Sequence, residues 1–208
     1  MNLSLVGLIN RPYLYREPSH QGGEKKRGND GYTKEKEIFQ HGFLTLKNRR
    51  YARGTSAHNT VTLDDLEQAE LWKSFRVARR GYPQGFKVVG EQLQCSHNGF
   101  SIWQKGLFHK RIVVLRNNGV ELQDHVEGRG THSFKAFFHF APGIDIKREG
   151  EGYRVEEHLF LEPWGAVTQL KESQYYPEFG LIQDRPCLVL EGRFSGHGVF
   201  GLRCIYSS

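Results

Sequence analysis

The chain has 208 residues, of which 38% are hydrophobic, 12% aromatic and 25% charged, with a formal net charge of +6. That length and mixture suit one large soluble domain or two small ones, and exclude a small scaffold that needs staples to hold a core. The basic surplus suits either an ordinary basic surface or an acidic polymer, but no zinc finger or basic helix accompanies it, so a nucleic-acid partner is not expected.

In chain order, residues 1–16 carry scattered apolar groups, with Arg11 interrupting them early. The stretch lacks a positive n-region and is too short to span a bilayer, so neither a signal peptide nor a membrane-spanning segment is expected. Residues 19–37 are polar, Gly-containing and densely charged, and read as a loop or flexible linker. A polar N-terminal arm over 1–42 is therefore separated from a second unit over 43–208. From Phe43 the texture becomes β: 24 glycines and 23 Phe and Tyr residues in the whole chain favour strands joined by turns. Strands are predicted at 43–46, 59–63, 74–79, 86–90, 100–104, 111–116, 120–126, 132–140, 153–162, 166–173, 187–194 and 199–206. Asp64–Leu71 reads as the one short helical piece.

Alternation supports several of these strands. Val120, Leu122 and Asp124 oppose Glu121, Gln123 and His125, while Phe134, Ala136, Phe138 and Phe140 oppose Ser133, Lys135, Phe137 and His139. Turns are expected at 117–119, 127–130, 141–143 and 149–152. A dozen strands without a βαβ rhythm predict an all-β fold, a large antiparallel β-sandwich. Cys95, Cys187 and Cys204 lack CxxC spacing, which rules out a disulfide framework and a structural zinc site while leaving room for one disulfide. The Gly-x-Gly-x-x-Gly match at 196–201 lacks a following helix and is not a dinucleotide fingerprint.

Residues 49–80 carry a long ordered pattern. Arg53, Thr55 and Ala57 lead into His58-Asn59-Thr60-Val61, and Asp64, Gln68 and Glu70 follow before Trp72, Phe75, Arg76, Val77 and Arg79. This resembles the heparinase II/III-like polysaccharide lyases, in which an Arg-rich strand leads to the His-Asn-Thr-Val turn. The likeness continues through 109–143 and the Tyr-x-Pro-x-Phe-Gly run at 175–180. It implies the C-terminal β-sandwich of an enzyme whose N-terminal α/α toroid is absent from this chain. Such enzymes cleave uronic-acid polysaccharide, of the heparan or alginate type, by β-elimination, and are often periplasmic or secreted.

β-Elimination needs a group that neutralises the uronate carboxyl, a base for the neighbouring proton and an acid for the leaving oxygen. His58 is the leading catalytic candidate, and the resemblance also makes it a metal ligand in metal-containing members. It either enters a cleft or fixes the turn as a structural histidine. No His-x-His segment accompanies it, so zinc or another divalent ion is expected only in a longer or complemented site, and no cofactor is assigned to the chain itself. Asn59 either orients a carboxylate or caps the turn. Arg53, Arg76 and Arg79 either line a groove for acidic sugar or are solvated, and Arg76 and Arg79 would face opposite sides of one strand. Trp72 and Trp103 either stack on sugar or pack. His109, His132 and His139 are read as structural, and Tyr175 and Tyr176 as anchoring a corner. With half a cleft, the chain is expected to be inactive without the toroid. The alternative is a noncatalytic carbohydrate-binding or structural β-sandwich.

Overall fold

A computed structural model describes residues 48–73, 76–178 and 181–206. The N-terminal arm and the strand expected at 43–46 lie outside these residues. Twelve strands are described: β1 Val61–Leu63, β2 Ala69–Leu71, β3 Val77–Arg80, β4 Pro83–Val89, β5 Gln92–His97, β6 Phe108–Arg116, β7 Gly119–His139, β8 Ile146–Glu149, β9 Gly152–Val155, β10 Leu159–Trp164, β11 Val167–Tyr175 and β12 Gln183–Tyr206. All pairings are antiparallel, with β2 and β3 forming a separate hairpin. This is the β-sandwich that the alternation implied.

Two strands organise the molecule. β7 and β12 run antiparallel over nearly their full lengths, from Cys187 opposite His139 to Ile205 opposite Gly119. At one end this ribbon sits inside the order β4-β5-β6-β7-β12-β10-β9-β8; at the other it is flanked by β1 and β11. The register shifts between Ser195 and Gly196, where β7 moves from Gly128 to Thr131 and leaves Arg129 and Gly130 unmatched. Gly130 and Gly196 both take positive φ there, which a side chain would oppose. The bulge bends the ribbon, so Phe134 beyond it stacks on Phe200 before it, rings parallel and 3.8 Å apart. Val61, Leu63, Ala136, Phe138, Leu188 and Leu190 of one layer thus share a core with Leu122, Leu161 and Leu202 of the other. Gly192 lies opposite Phe134, where a Cβ would come within 2.8 Å of the ring.

Several local expectations are corrected. Asp64–Leu71 is not helical. Asp64 and Asp65 turn with positive φ, which Asp tolerates better than most residues, and Ala69–Leu71 is a strand. The Asp64 carboxylate accepts bonds from the Ser133 N–H and from His132, which ties this turn to β7. Residues 48–53, in the place of the Arg-rich strand, are helical. Phe100 sits in a 3-10 turn, Gly99–Ile102, rather than a strand. The stretches 120–126 and 132–140 are one strand through the bulge, as are 187–194 and 199–206, so the turn expected at 127–130 is absent. Glycines that resemble turn signals serve here as bulge residues. Conversely, 153–162 is split into β9 and β10 by a turn in which Glu156 has positive φ, and β5 and β8 were not anticipated.

Candidate functional site

The segment 54–60 is held from both sides. The Thr55 N–H donates to Glu67 Oε2 at 2.6 Å, and the Gln68 N–H donates to Thr55 Oγ1. Gln68 Nε2 bridges Thr60 Oγ1 and the Val61 carbonyl. Asn59 pins the turn to the sandwich twice: its side-chain oxygen accepts the His139 N–H at 2.7 Å, and its carbonyl accepts Arg111 Nη1 at 2.6 Å. Asn59 thus ties the turn to β7 through its side-chain oxygen and to β6 through its carbonyl.

His58 projects from this turn, half-buried. Burial pushes its ring below the ordinary histidine value. A bond to the Ala52 carbonyl works the other way, and neighbouring Arg185 adds to the depression. One ring nitrogen thus donates to Ala52, and a neutral ring carries its lone pair on the other. His139 stands beside it. Its Nε2–H donates to the Ser56 carbonyl at 3.0 Å and its Nδ1 accepts from the Ser173 hydroxyl at 3.0 Å. Burial, reinforced by Arg185, brings this ring down to about 4. Arg185 donates Nη2 to the Ala57 carbonyl at 3.1 Å and lays its guanidinium over the Tyr175 ring. Register explains the convergence: His139 pairs with Cys187 across β7 and β12, and Arg185 pairs with Ser173 across β12 and β11. His139 has both ring nitrogens engaged, so of the two neutral imidazoles only His58 keeps a nitrogen able to accept a proton beside the fixed cation.

A buried relay backs the turn. The Gly99 N–H donates to His97 Nδ1, which leaves His97 Nε2–H to donate to His109 Nδ1 at 3.0 Å. His109 Nε2–H then donates to Asp124 Oδ1 at 2.7 Å. Both Asp124 oxygens take Arg111, at 2.8 Å each, and Arg111 reaches on to Asn59 while its guanidinium lies over Phe138. Burial, with His109 and Arg111 nearby, brings His97 to about 3.

The other anticipated residues form a separate group on the β2–β3 hairpin. Arg53 donates to the carbonyls of Trp72 and Arg76, fastening the helical stretch to the hairpin. Arg76 lies over the Trp72 ring. Arg79 pairs with Glu70 at 2.7 Å and lies over Trp103, whose indole N–H donates to the Glu67 carbonyl. Trp72 and Trp103 are 48% and 41% exposed, so they are not core residues. His139, Arg185, Arg111 and Asp124 were not among the anticipated site residues. The alternation already held one signal, since Asp124 is a carboxylate on the apolar face of its strand.

The profile of the family described as heparinase II/III-like, C-terminal, matches residues 26–197. The chain belongs to the heparinase II/III-like C-terminal family. Solved structures agree at the level of fold. The heparinase II/III-like chain is similar to a heparan sulfate lyase, HepC, from Pedobacter heparinus, at 15% identity and TM-score 0.58, covering 79% of this chain and 26% of that one. It is similar to the heparinase III BT4657 gene product at 16% identity and TM-score 0.59, covering 78% and 26%. A structure titled heparinase III matches at 12% identity and TM-score 0.58, covering 77% and 25%. The heparinase II/III-like chain thus spans about a quarter of the length of the solved structures it matches. No curated protein matches the sequence significantly.

The described residues do not fit a divalent ion at His58. They contain no group of three His, Cys, Asp or Glu side chains able to hold one, and Arg185 places positive charge beside the ring. No helix among them is long and apolar enough to cross a membrane.

The depressed imidazoles set an acid response for the heparinase II/III-like domain. An unfolded histidine takes up its proton near pH 6.5, whereas folded His139 waits until about 4 and His97 until about 3. Between these values the unfolded state binds more protons, so stability is complete above about pH 6.5 and falls as the pH drops through that window. Each pH unit of the window costs about 1.4 kcal/mol per histidine at most. Urea midpoints measured from pH 7.5 to 4 should decline, and His139→Gln should flatten the decline. A midpoint constant to pH 4.5 would contradict these histidine environments.

Proposed function

We propose that this chain supplies the histidine-bearing half of the cleft in a lyase that cleaves uronic-acid polysaccharide by β-elimination, and that it turns over substrate only together with an α/α toroid. The observation that carries this reading is the meeting of His58, His139 and Arg185 at the 54–60 turn, within a family whose solved relatives include heparan sulfate lyases. In this reading His58 takes or relays the proton next to the uronate carboxyl through its unbonded nitrogen. Asn59, held by Arg111 and by the His139 N–H, keeps the ring in place. The remaining acid and oxyanion groups come from the toroid, because reacting groups have to be held together to be effective.

The test is ultraviolet absorbance of the conjugated unsaturated uronate, with heparan sulfate, alginate and unsulfated glucuronan as substrates. The chain alone should give a flat trace. With a heparan sulfate lyase toroid supplied in trans, a rise is expected, and His58→Ala should cut it by about 10²–10⁴-fold. A rise from the chain alone would remove the toroid requirement. A rise indifferent to His58→Ala would remove His58 from the chemistry, and no rise with any toroid would remove the lyase reading.

A noncatalytic carbohydrate-binding role has one observation in its favour, the exposed Trp72 and Trp103 with arginines against them. Against a stand-alone module, edge strand β4 leaves Phe86, Val88 and Val89 exposed, an apolar surface that suits contact with another domain.

A further inference from the structure

The β2–β3 hairpin carries a strained residue that its own pairing does not explain. Ala69 pairs with Arg80 and Glu70 with Ala78, which leaves Arg79 unmatched as a bulge. Arg79 takes a φ of 32°, a region that a long side chain adopts only at a cost. The bulge re-aims the side chain, so that its guanidinium pairs with Glu70 and lies over Trp103. An arginine that merely faces solvent has no use for such a backbone.

The surroundings are fixed as well. Trp103 is held by its indole N–H on the Glu67 carbonyl, and the Trp72 side chain bonds Glu70. Arg76 lies over Trp72 as Arg79 does over Trp103. Each tryptophan still shows over two-fifths of its surface to solvent. Around them Arg50, Lys73, Arg76 and Arg80 are exposed, and no carboxylate among the described residues pairs with these four. The nearby acids are committed elsewhere: Asp64 to His132, Asp65 to Lys135 and Glu67 to the Thr55 N–H. A large part of the surplus of +6 therefore sits on this corner, where like charges repel unless an anion joins them. Immobilised, exposed indoles among unpaired cations suit a chain of anionic pyranose rings. Such rings offer apolar C–H faces to indole and their charged groups to guanidinium. Glu70, linked to both tryptophans, accepts from sugar hydroxyls but repels the phosphates of a nucleic acid.

We propose that the β2–β3 hairpin together with Trp103 is a holding subsite for an anionic saccharide chain. Trp72 and Trp103 each take a ring face, and Arg76 and Arg79 take the charged groups. This rests on the polysaccharide part of the reading above and adds a contact, apart from the 54–60 turn, that takes no part in bond cleavage.

The test uses the whole chain, nitrogen-15 labelled, with the indole N–H signals of its three tryptophans followed by NMR. Trp72→Phe and Trp103→Phe assign two of them, and the third is Trp164. A sulfated heparin hexasaccharide should shift the Trp72 and Trp103 signals saturably and leave Trp164 in place. Maltohexaose, neutral and of equal length, should bind more weakly by about tenfold or more. A single-stranded deoxynucleotide of matched charge should also bind more weakly. Arg79→Gly removes the cation but accepts the positive φ, so binding should fall by about tenfold while the urea midpoint holds. The Trp164 signal, unmoved in that variant, reports the intact fold. Indole signals that stay put, equal affinity for maltohexaose or for the deoxynucleotide, or wild-type binding by Arg79→Gly would overturn the subsite. A lowered midpoint in Arg79→Gly would do so too, by giving the strained residue to the fold. Binding is scored without a toroid and without turnover, so loss of the lyase reading alone leaves these signals shifting, and loss of the subsite alone leaves turnover in trans.

Discussion

Asp124→Ala is expected to destabilise the fold by about 3–5 kcal/mol, because it removes one partner of a buried ion pair and leaves the other. Asp124 is fully buried on the core side of β7. Burial alone would push its carboxyl up, yet Arg111 and the His109 hydrogen bond outweigh this and hold it well below the usual carboxylate range. Without the carboxylate, Arg111 keeps only its bond to Asn59 inside the sandwich, and His109 loses the acceptor that fixes its orientation. Urea unfolding at pH 7 measures the loss. Asp124→Asn retains the shape without the charge and should fall between wild type and alanine. The paired change Asp124→Leu with Arg111→Met should recover part of the loss, since an apolar replacement of both partners avoids the stranded charge. A loss under about 1 kcal/mol for Asp124→Ala would mean that water reaches Arg111 and that the pair is not interior.

Phe200→Ala should cost a similar amount, about 3–5 kcal/mol, by a different cause. The ring is fully buried and lies parallel to Phe134 across the two layers. Removal leaves a cavity that the neighbours fill only in part, because Phe200 and Phe134 belong to the two strands that bend together at the bulge. A double-mutant cycle with Phe134→Ala should show coupling of about 0.5–1.5 kcal/mol. Strict additivity in that cycle would place the two rings in separate packing environments.

The fold class was legible in the residues because alternation is a local signal. The parity of 120–126 and 132–140 gave the correct core face on both sides of the bulge, since two extra residues preserve it. Strand length was not legible. The glycines at 128 and 130 look alike whether a chain turns or bulges, and only pairing with β12 decides between them. β5, Gln92–His97, escaped although Leu93 and Cys95 alternate with Gln92, Gln94 and Ser96, because two apolar residues are a weak signal and the strand is half-buried on both faces. At the site, the His-Asn-Thr-Val run located the turn, but the sequence could not bring Arg185 to it. That meeting depends on β11, β12 and the turn arriving together from distant parts of the chain. Arg53, Arg76 and Arg79, by contrast, fasten the β2–β3 hairpin or cover Trp72 and Trp103.

The β7–β12 ribbon also dictates the order in which the molecule can be made. β12 follows in sequence every strand that it joins, and its partners lie far back, with Ile205 against Gly119. Until it arrives, β7 has an open edge on one side along its whole length, and β10 and β11 lack the strand they pair with. Contacts of such long sequence separation make folding slow, and the waiting chain exposes unpaired strand edges to other chains. During synthesis, therefore, neither layer closes early. Both are completed in one late step, and a ribosome stalled before β12 would hold a chain prone to aggregate rather than a folded half.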